Sequence, residues 1–475
     1  MKKVSPDIEI YETSRRGNTH TRIAKVESGS EEIEVTILPD QTYQTITGFG
    51  GSFTDASAYL MSRLGQENQK KIIEAYFGET GARYSLTRTH INSCDFSLEN
   101  YSYAPVECDK DLNHFSAERD RKYLFAMIKQ ALDTSKDGFK IIASPWTAPP
   151  WMKDNGEWCG GKLLPEYYGT WALYFSKYLT ACQTEGINIW GITVENEPLG
   201  NNENWESMHY TPGEMNHFVK HFLKPQLSAD EHTVKIFGYD QNRGPELREW
   251  VDAMYGSTET ASLYDGTAVH WYESTTKIFA NELQYAHNAA PQKYLIQTEA
   301  CIDDEVPRWR DDSWYWAKEA TDWGYKWAAD AQKHLHPRYV PAFRYARDII
   351  GCLNNFVDGW IDWNMVLDRR GGPNHAENWC TAPVIADPDS DEVYFTPLYS
   401  ILMHFSRYIR PGAKRLGCLN KDDQIMATAA ENPDGSIAVV IFNPEKKKRI
   451  IKLTCKNNTF NFSIDEMAIQ TIIIT

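Results

Sequence analysis

Two glutamates, Glu197 and Glu299, stand where acid–base and nucleophilic chemistry could be done. Glu197 lies in Glu195-Asn196-Glu197-Pro198, directly after a β-rich run at 189–194, and Glu299 lies in Thr298-Glu299-Ala300-Cys301, directly after one at 293–298. Two carboxylates held roughly 5 to 5.5 Å apart can divide the breaking of a glycosidic bond between them. One attacks the anomeric carbon; the other protonates the departing oxygen and later activates water. The division needs unlike protonation in two neighbours, which burial and like-charge repulsion supply. Either glutamate alone reads equally well as a solvated strand end, because short motifs recur by chance. Their joint meaning depends on the elements that carry them.

From about residue 45 onward, short β-rich runs alternate with longer amphipathic stretches, the pattern of repeated βα units. Strands are expected at 45–51, 85–89, 140–144, 189–194, 234–238, 267–271, 293–298 and 359–363. The helices that follow them are expected at 57–64, 118–132, 167–182, 213–223, 246–255, 279–286, 345–354 and 397–405, with Thr211 as an N-cap before Pro212. Eight such pairs predict an α/β fold, a (β/α)8 TIM barrel whose reactive side chains sit at the C-terminal ends of its strands. Glu197 and Glu299 then follow strands four and seven, facing each other across the mouth. A doubly wound open sheet competes, but Gly48-Phe49-Gly50-Gly51 is not the G-x-G-x-x-G loop common to such sheets. Both flanks carry period-2 alternation, as in Ile33-Glu34-Val35-Thr36-Ile37, and Pro433-Asp434-Gly435 signals a hairpin. Neither flank is long enough to bury its own sheet, so residues 1–44 and 409–475 are expected to pair into one side β-sandwich beside a barrel at 45–408.

The formal charge of −16 works against nucleic acid and a bare acidic membrane surface as partners, leaving a neutral substrate. No apolar run is long enough for a transmembrane segment, and Met1-Lys2-Lys3 leads into charged residues instead of a signal-peptide core. Nine scattered cysteines without a C-x-x-C pair suit reduced thiols, so the expectation is a soluble, cytoplasmic protein. His217 and His221 lie four apart on an expected helix, yet no H-E-x-x-H and no third ligand accompany them, so neither a metal nor a cofactor is expected. The 16 Trp and 26 Tyr, many near strand ends, offer flat faces on which sugar rings stack.

The stretches Gly48-Phe49-Gly50-Gly51-Ser52-Phe53-Thr54-Asp55, Ser93-Cys94-Asp95-Phe96-Ser97, Ala143-Ser144-Pro145-Trp146-Thr147-Ala148-Pro149, Asn196-Glu197-Pro198, Val269-His270-Trp271-Tyr272, Thr298-Glu299-Ala300-Cys301 and Gly371-Gly372-Pro373-Asn374 resemble glycoside hydrolase family 30. The similarity runs in order from about residue 45 to 415 and is nearest the glucosylceramidase branch. It implies the barrel with its side sandwich, Glu197 as acid/base and Glu299 as nucleophile. By the same resemblance Asp95, Trp146, Asn196, Trp363 and Asn378 look like sugar-site residues, with Asn196 reaching the 2-hydroxyl and the two tryptophans as walls. Arg88, His270 and Tyr272 look like groups that orient Glu299 and keep its pKa low, with Tyr272 also near the sugar; for Arg88 and His270 a merely stabilising buried network is the equal alternative. Trp271 reads as core, and Cys94 and Cys301 as packing residues.

The function this implies is a retaining, glucosylceramidase-like β-glucosidase acting on a neutral β-glycoside at a terminal β-D-glucosyl residue. A β-1,6-glucanase or β-xylosidase of the same family is the alternative. Outside enzymes, a non-catalytic sugar-binding protein remains, although both carboxylates are in place. The segment 302–340, with Trp309, Trp314, Trp316, Trp323 and Trp327, is longer than the glucosylceramidase branch leads one to expect, and loops at this face set specificity.

Overall fold

The computed structural model describes residues 8–14, 18–24, 32–275, 277–303 and 339–475. Eight parallel strands close into a barrel: Gly48–Phe53, Leu86–Ile91, Lys140–Pro145, Gly191–Thr193, Lys235–Asn242, Gly266–His270, Tyr294–Glu299 and Gly359–Asn364. Strand eight shuts on strand one, with Gly359 opposite Gly48. Every expected barrel strand is present, shifted by a few residues at most. Strands one and two approach closely because Gly50 has no side chain; a Cβ there would sit 2.0 Å from the Leu86 carbonyl oxygen.

The barrel is filled from below by Leu86, Ile142, Phe237, Ala268, Ile296 and Ile361, one from each of six strands. Side chains on a strand alternate faces, so Arg88, two residues beyond Leu86, also points inward and opens a polar layer above this plug. Thr211 caps helix Pro212–Phe218 and exchanges bonds with Glu214 in a capping box, as expected. The helix expected at 213–223 runs on through a π turn, Val219–Leu223, into Lys224–Ala229. The one expected at 118–132 is broken at Tyr123 into Glu118–Lys122 and Leu124–Thr134. An additional helix, Gln66–Phe77, follows strand one and buries only Ile72, Ile73, Tyr76 and Phe77.

The two flanks do combine. Nine strands form one sheet system in the order Thr21–Ile23, Ile8–Ser14, Ala468–Ile474, Ile437–Asn443, Met426–Glu431, Lys414–Asn420, Glu32–Thr45, Arg449–Cys455, Asn458–Ile464, built on its own apolar core. Helix Pro397–Ser406 ties this sandwich to the barrel, since His404 meets Thr471 Oγ1 at 2.8 Å and Thr13 Oγ1 at 2.9 Å. Around the mouth, Ile302–Asp303 pairs with Cys380–Thr381 in a small antiparallel sheet. The five tryptophans of 302–340 lie outside the described residues. Among the described residues, no helix is long and apolar enough to cross a membrane.

Candidate active site

Glu197 follows strand four in a left-handed backbone conformation, φ 50°, that a non-glycine residue adopts at roughly 1–3 kcal/mol of strain. Its N–H is held by the Asp240 carbonyl at 2.9 Å, and the preceding Asn196 N–H by the Pro145 carbonyl at 2.7 Å. Neighbouring strands thus impose the turn that aims the side chain over the barrel. Glu299 ends strand seven; its Oε2 accepts from Arg88 Nη1 and its Oε1 from the Tyr272 hydroxyl at 3.0 Å.

Arg88 is fully buried and ties its own strand two to strands three, five and seven and to the turn after strand four. Its Nη2 donates to Asn196 Oδ1 and to Asp240 Oδ2, both at 2.7 Å, and its Nε to Ser144 Oγ at 3.0 Å. Asp240, which sequence reasoning missed, is the hub of this layer. Besides Arg88 it accepts from Thr298 Oγ1 at 2.6 Å and faces His270 Nε2 at 3.0 Å. Its backbone is left-handed, like that of Tyr239, and the register against strand six shifts there, which turns Asp240 into the barrel.

His270 meets the expectation in part: its charge lowers the Glu299 carboxyl, but its ring nitrogens face other carboxylates. Asp240 pins one ring nitrogen, so the other, Nδ1, faces Glu197 Oε1 at 3.0 Å, and the hydrogen bond to Glu299 falls to Tyr272. Burial alone would depress this imidazole, but the Glu299 and Asp240 charges outweigh it and push it up to about 9. Asp240 is driven the other way: burial opposes its charge, yet Arg88 and His270 hold it well below the usual carboxylate range. For Glu299, burial outweighs the pull of His270 and Arg88, so its carboxyl lies above its ordinary value instead of below it as the sequence suggested.

A charge count bears on the two glutamates. Arg88 and His270 supply two positive charges and Asp240 one negative. The remaining positive charge supports one ionised glutamate; a second would leave an uncompensated buried negative charge. Asp95 does not alter the sum, because burial, reinforced by the Glu299 charge, raises its carboxyl far above the usual range.

The cavity above these groups holds about 320 Å³ and is lined by Asp95, Trp146, Asn196, Glu197, Tyr272, Glu299, Trp363 and Asn378. All eight substrate and catalytic residues expected from sequence therefore meet in one place, with Arg88 and His270 directly beneath. Trp146 and Trp363 stack with centroids 5.1 Å apart, and the Arg88 guanidinium lies 4.8 Å from the Trp146 ring. Asn378 donates to Asp95 Oδ2 at 3.1 Å, while Asp95 Oδ1 and Trp363 Nε1 are buried without a partner among the described residues. Buried polar atoms are normally satisfied, so these two suit a ligand's hydroxyls. Leu199, Asn201, Asn204 and Trp205 after strand four and Gln241 and Asn242 on strand five also line the cavity and were not anticipated. Trp271 is core, its indole N–H donating to the Cys301 carbonyl at 3.1 Å. A larger groove of about 790 Å³ at the opposite end of the barrel, lined by Lys140, Lys293 and Lys414, lacks a carboxylate pair.

Paired carboxylates in an aromatic-walled pocket at a barrel's mouth define an O-glycosyl hydrolase. Comparison with known proteins narrows the class: residues 46–409 match the glycosyl hydrolase family 30 TIM-barrel domain and residues 412–472 the family's beta sandwich domain. The chain belongs to glycoside hydrolase family 30. It is similar to putative glucosylceramidase 4 of Caenorhabditis elegans, 32% identical over 98% of this chain and 88% of that protein. Lysosomal acid glucosylceramidase of Mus musculus is also 32% identical, over 91% of this chain and 82% of its own. An endo-β1,6-glucanase of known structure superposes with a TM-score of 0.83 at 27% identity, covering 98% of this chain and 99% of that one.

Proposed function

We propose that this hydrolase is a retaining β-glucosidase of the glucosylceramidase type, removing single terminal β-D-glucosyl residues by double displacement. The observation that carries the reading is the cavity of about 320 Å³ with both glutamates in its wall. That volume is near the lower end of roughly 300–1,000 Å³ for small-molecule sites and suits one sugar ring rather than a bound polymer. Near-full-length similarity to glucosylceramidases supports glucose as that ring and a ceramide-like leaving group.

The charge balance supports an order of events. Glu299, ionised and held by Arg88 and Tyr272, attacks the anomeric carbon, while Glu197 delivers its proton to the departing oxygen. Esterified, Glu299 no longer carries charge, so Arg88 and His270 outweigh Asp240 alone. Glu197, its proton given up to the departing oxygen, then draws a proton from the water that releases the sugar. In this reading Asn196, which accepts from Arg88, serves the 2-hydroxyl, where a hydrogen bond strengthens as the transition state forms.

Rates on glucosylceramide, a nitrophenyl β-glucoside, a nitrophenyl β-xyloside and β-1,6-linked glucan, compared side by side, test the substrate. Glucosylceramide and the simple glucoside should be hydrolysed fastest, with β-glucose appearing first by NMR. Preferential internal cleavage of β-1,6-glucan, for which the similarity to the endo-β1,6-glucanase is the supporting observation, would replace this assignment.

A further inference from the structure

Two thiols in the pocket wall have no part in this reaction. Cys301 lies two residues after Glu299 and Cys380 two after Asn378; both line the cavity, and their sulfurs are 2.9 Å apart. The approach is built into the backbone. Ile302 pairs with Thr381 and Asp303 with Cys380 in an antiparallel ladder, which places Cys301 and Cys380 diagonally on one face. We propose that Cys301 and Cys380 form a redox-active pair that closes to a disulfide in the wall of the active site and thereby slows turnover.

A peroxide suffices as oxidant. One thiolate attacks its O–O bond and becomes a sulfenic acid as hydrogen peroxide is reduced to water. The second thiolate attacks the sulfenic sulfur, the S–S bond forms, and the hydroxide that leaves takes up a proton as a second water. Two thiols and one peroxide thus give one disulfide and two waters, and a dithiol reverses the change by exchange. Both cysteines are buried in the protein yet border the cavity, so the oxidant enters by the substrate's route.

The consequence for catalysis follows from what Cys301 touches. Its sulfur lies 3.4 Å from the Tyr272 hydroxyl, which also lies 3.0 Å from Glu299 Oε1. Bond formation at about 2.05 Å draws the sulfurs together by roughly 0.9 Å and removes a hydrogen-bond partner beside that hydroxyl. Displacement by about 1 Å so close to the nucleophile can lower the rate by up to about 10²-fold.

Reduced enzyme is titrated with hydrogen peroxide, mapped by non-reducing peptide mass spectrometry and assayed on a nitrophenyl β-glucoside. A Cys301–Cys380 linked peptide lacking two hydrogens should appear as kcat falls at least about threefold, within the 10²-fold ceiling above. Dithiothreitol should restore both, and a bound substrate analogue should delay both. Cys380→Ser and Cys380→Val, each normalised to its own untreated rate, should resist the same treatment. Oxidation of exposed Cys108 without the crosslink, a crosslink without loss of rate, or equal inactivation of both variants would overturn the proposal. The crosslink itself does not depend on the proposed substrate: an enzyme inert on every β-glucoside would sink that reading while the linked peptide stayed measurable.

Discussion

Replacing His270 with asparagine separates a charged imidazole from a merely structural one. The ring is buried between Glu197 and Asp240 and titrates at about 9 in the fold, against about 6.5 in an unfolded chain. A value raised by folding means that protonation stabilises the native state, fully below pH 6.5, and that this contribution fades as pH climbs through 9. The difference corresponds to about 3 kcal/mol. Unfolding entropy for 475 residues is about 1 kcal/mol/K, so about 3 °C of melting temperature is at stake. Thermal melts of wild type and His270→Asn between pH 6 and 10 provide the assay. Tyrosines and lysines that titrate in both proteins cancel in the difference. The gap in Tm should shrink by about 3 °C from pH 6.5 to 10. A gap that stays constant would show that His270 is neutral in the fold and would undo the charge count that assigns one proton to the glutamate pair.

Other substitutions probe the division of labour. Glu197→Ala should lower kcat about 10²–10⁴-fold on glucosides with poor leaving groups, whereas on an activated nitrophenyl glucoside azide should restore turnover as a glycosyl azide seen by NMR. Trapping with a 2-fluoro glucoside should label Glu299, and Glu299→Gln should show no label by peptide mapping; label elsewhere would displace it as nucleophile. Arg88→Lys removes the planar fork that joins Glu299, Asn196 and Asp240, so the Glu299 carboxyl should rise and the acidic limb of the kcat/KM profile should move to higher pH. Because Asp95 is held neutral, Asp95→Asn should retain kcat/KM within about tenfold, whereas Asp95→Ala should lose about 5- to 150-fold from 1–3 kcal/mol of unmade hydrogen bonds.

The barrel was legible because each strand is a short apolar run followed by an amphipathic stretch, and strand ends then exposed Glu197 and Glu299. What escaped was set by geometry between strands. Asp240 follows Phe237-Gly238-Tyr239 without any local signal; two left-handed residues and a register shift turn it inward. The hydrogen-bond partners of His270 were not foreseen, because the side that Asp240 occupies decides where the other ring nitrogen points. Helix Gln66–Phe77 was missed because its first half is polar and its apolar residues are confined to the last two turns. The contact between Cys301 and Cys380 joins positions 79 residues apart, beyond the reach of any periodicity.

The sandwich also orders the events of synthesis. Strand Ala468–Ile474 sits between Ile8–Ser14 and Ile437–Asn443, and the Gln470–Glu12 bond spans 458 residues. Strand Ile8–Ser14 therefore waits with an unpaired edge while the whole barrel is made, because its partner lies beyond the barrel in the sequence. An unpaired edge invites pairing with other chains. Glu9 and Glu12 on Ile8–Ser14 place charge on that waiting edge, a built-in restraint on aggregation until the chain can close on itself.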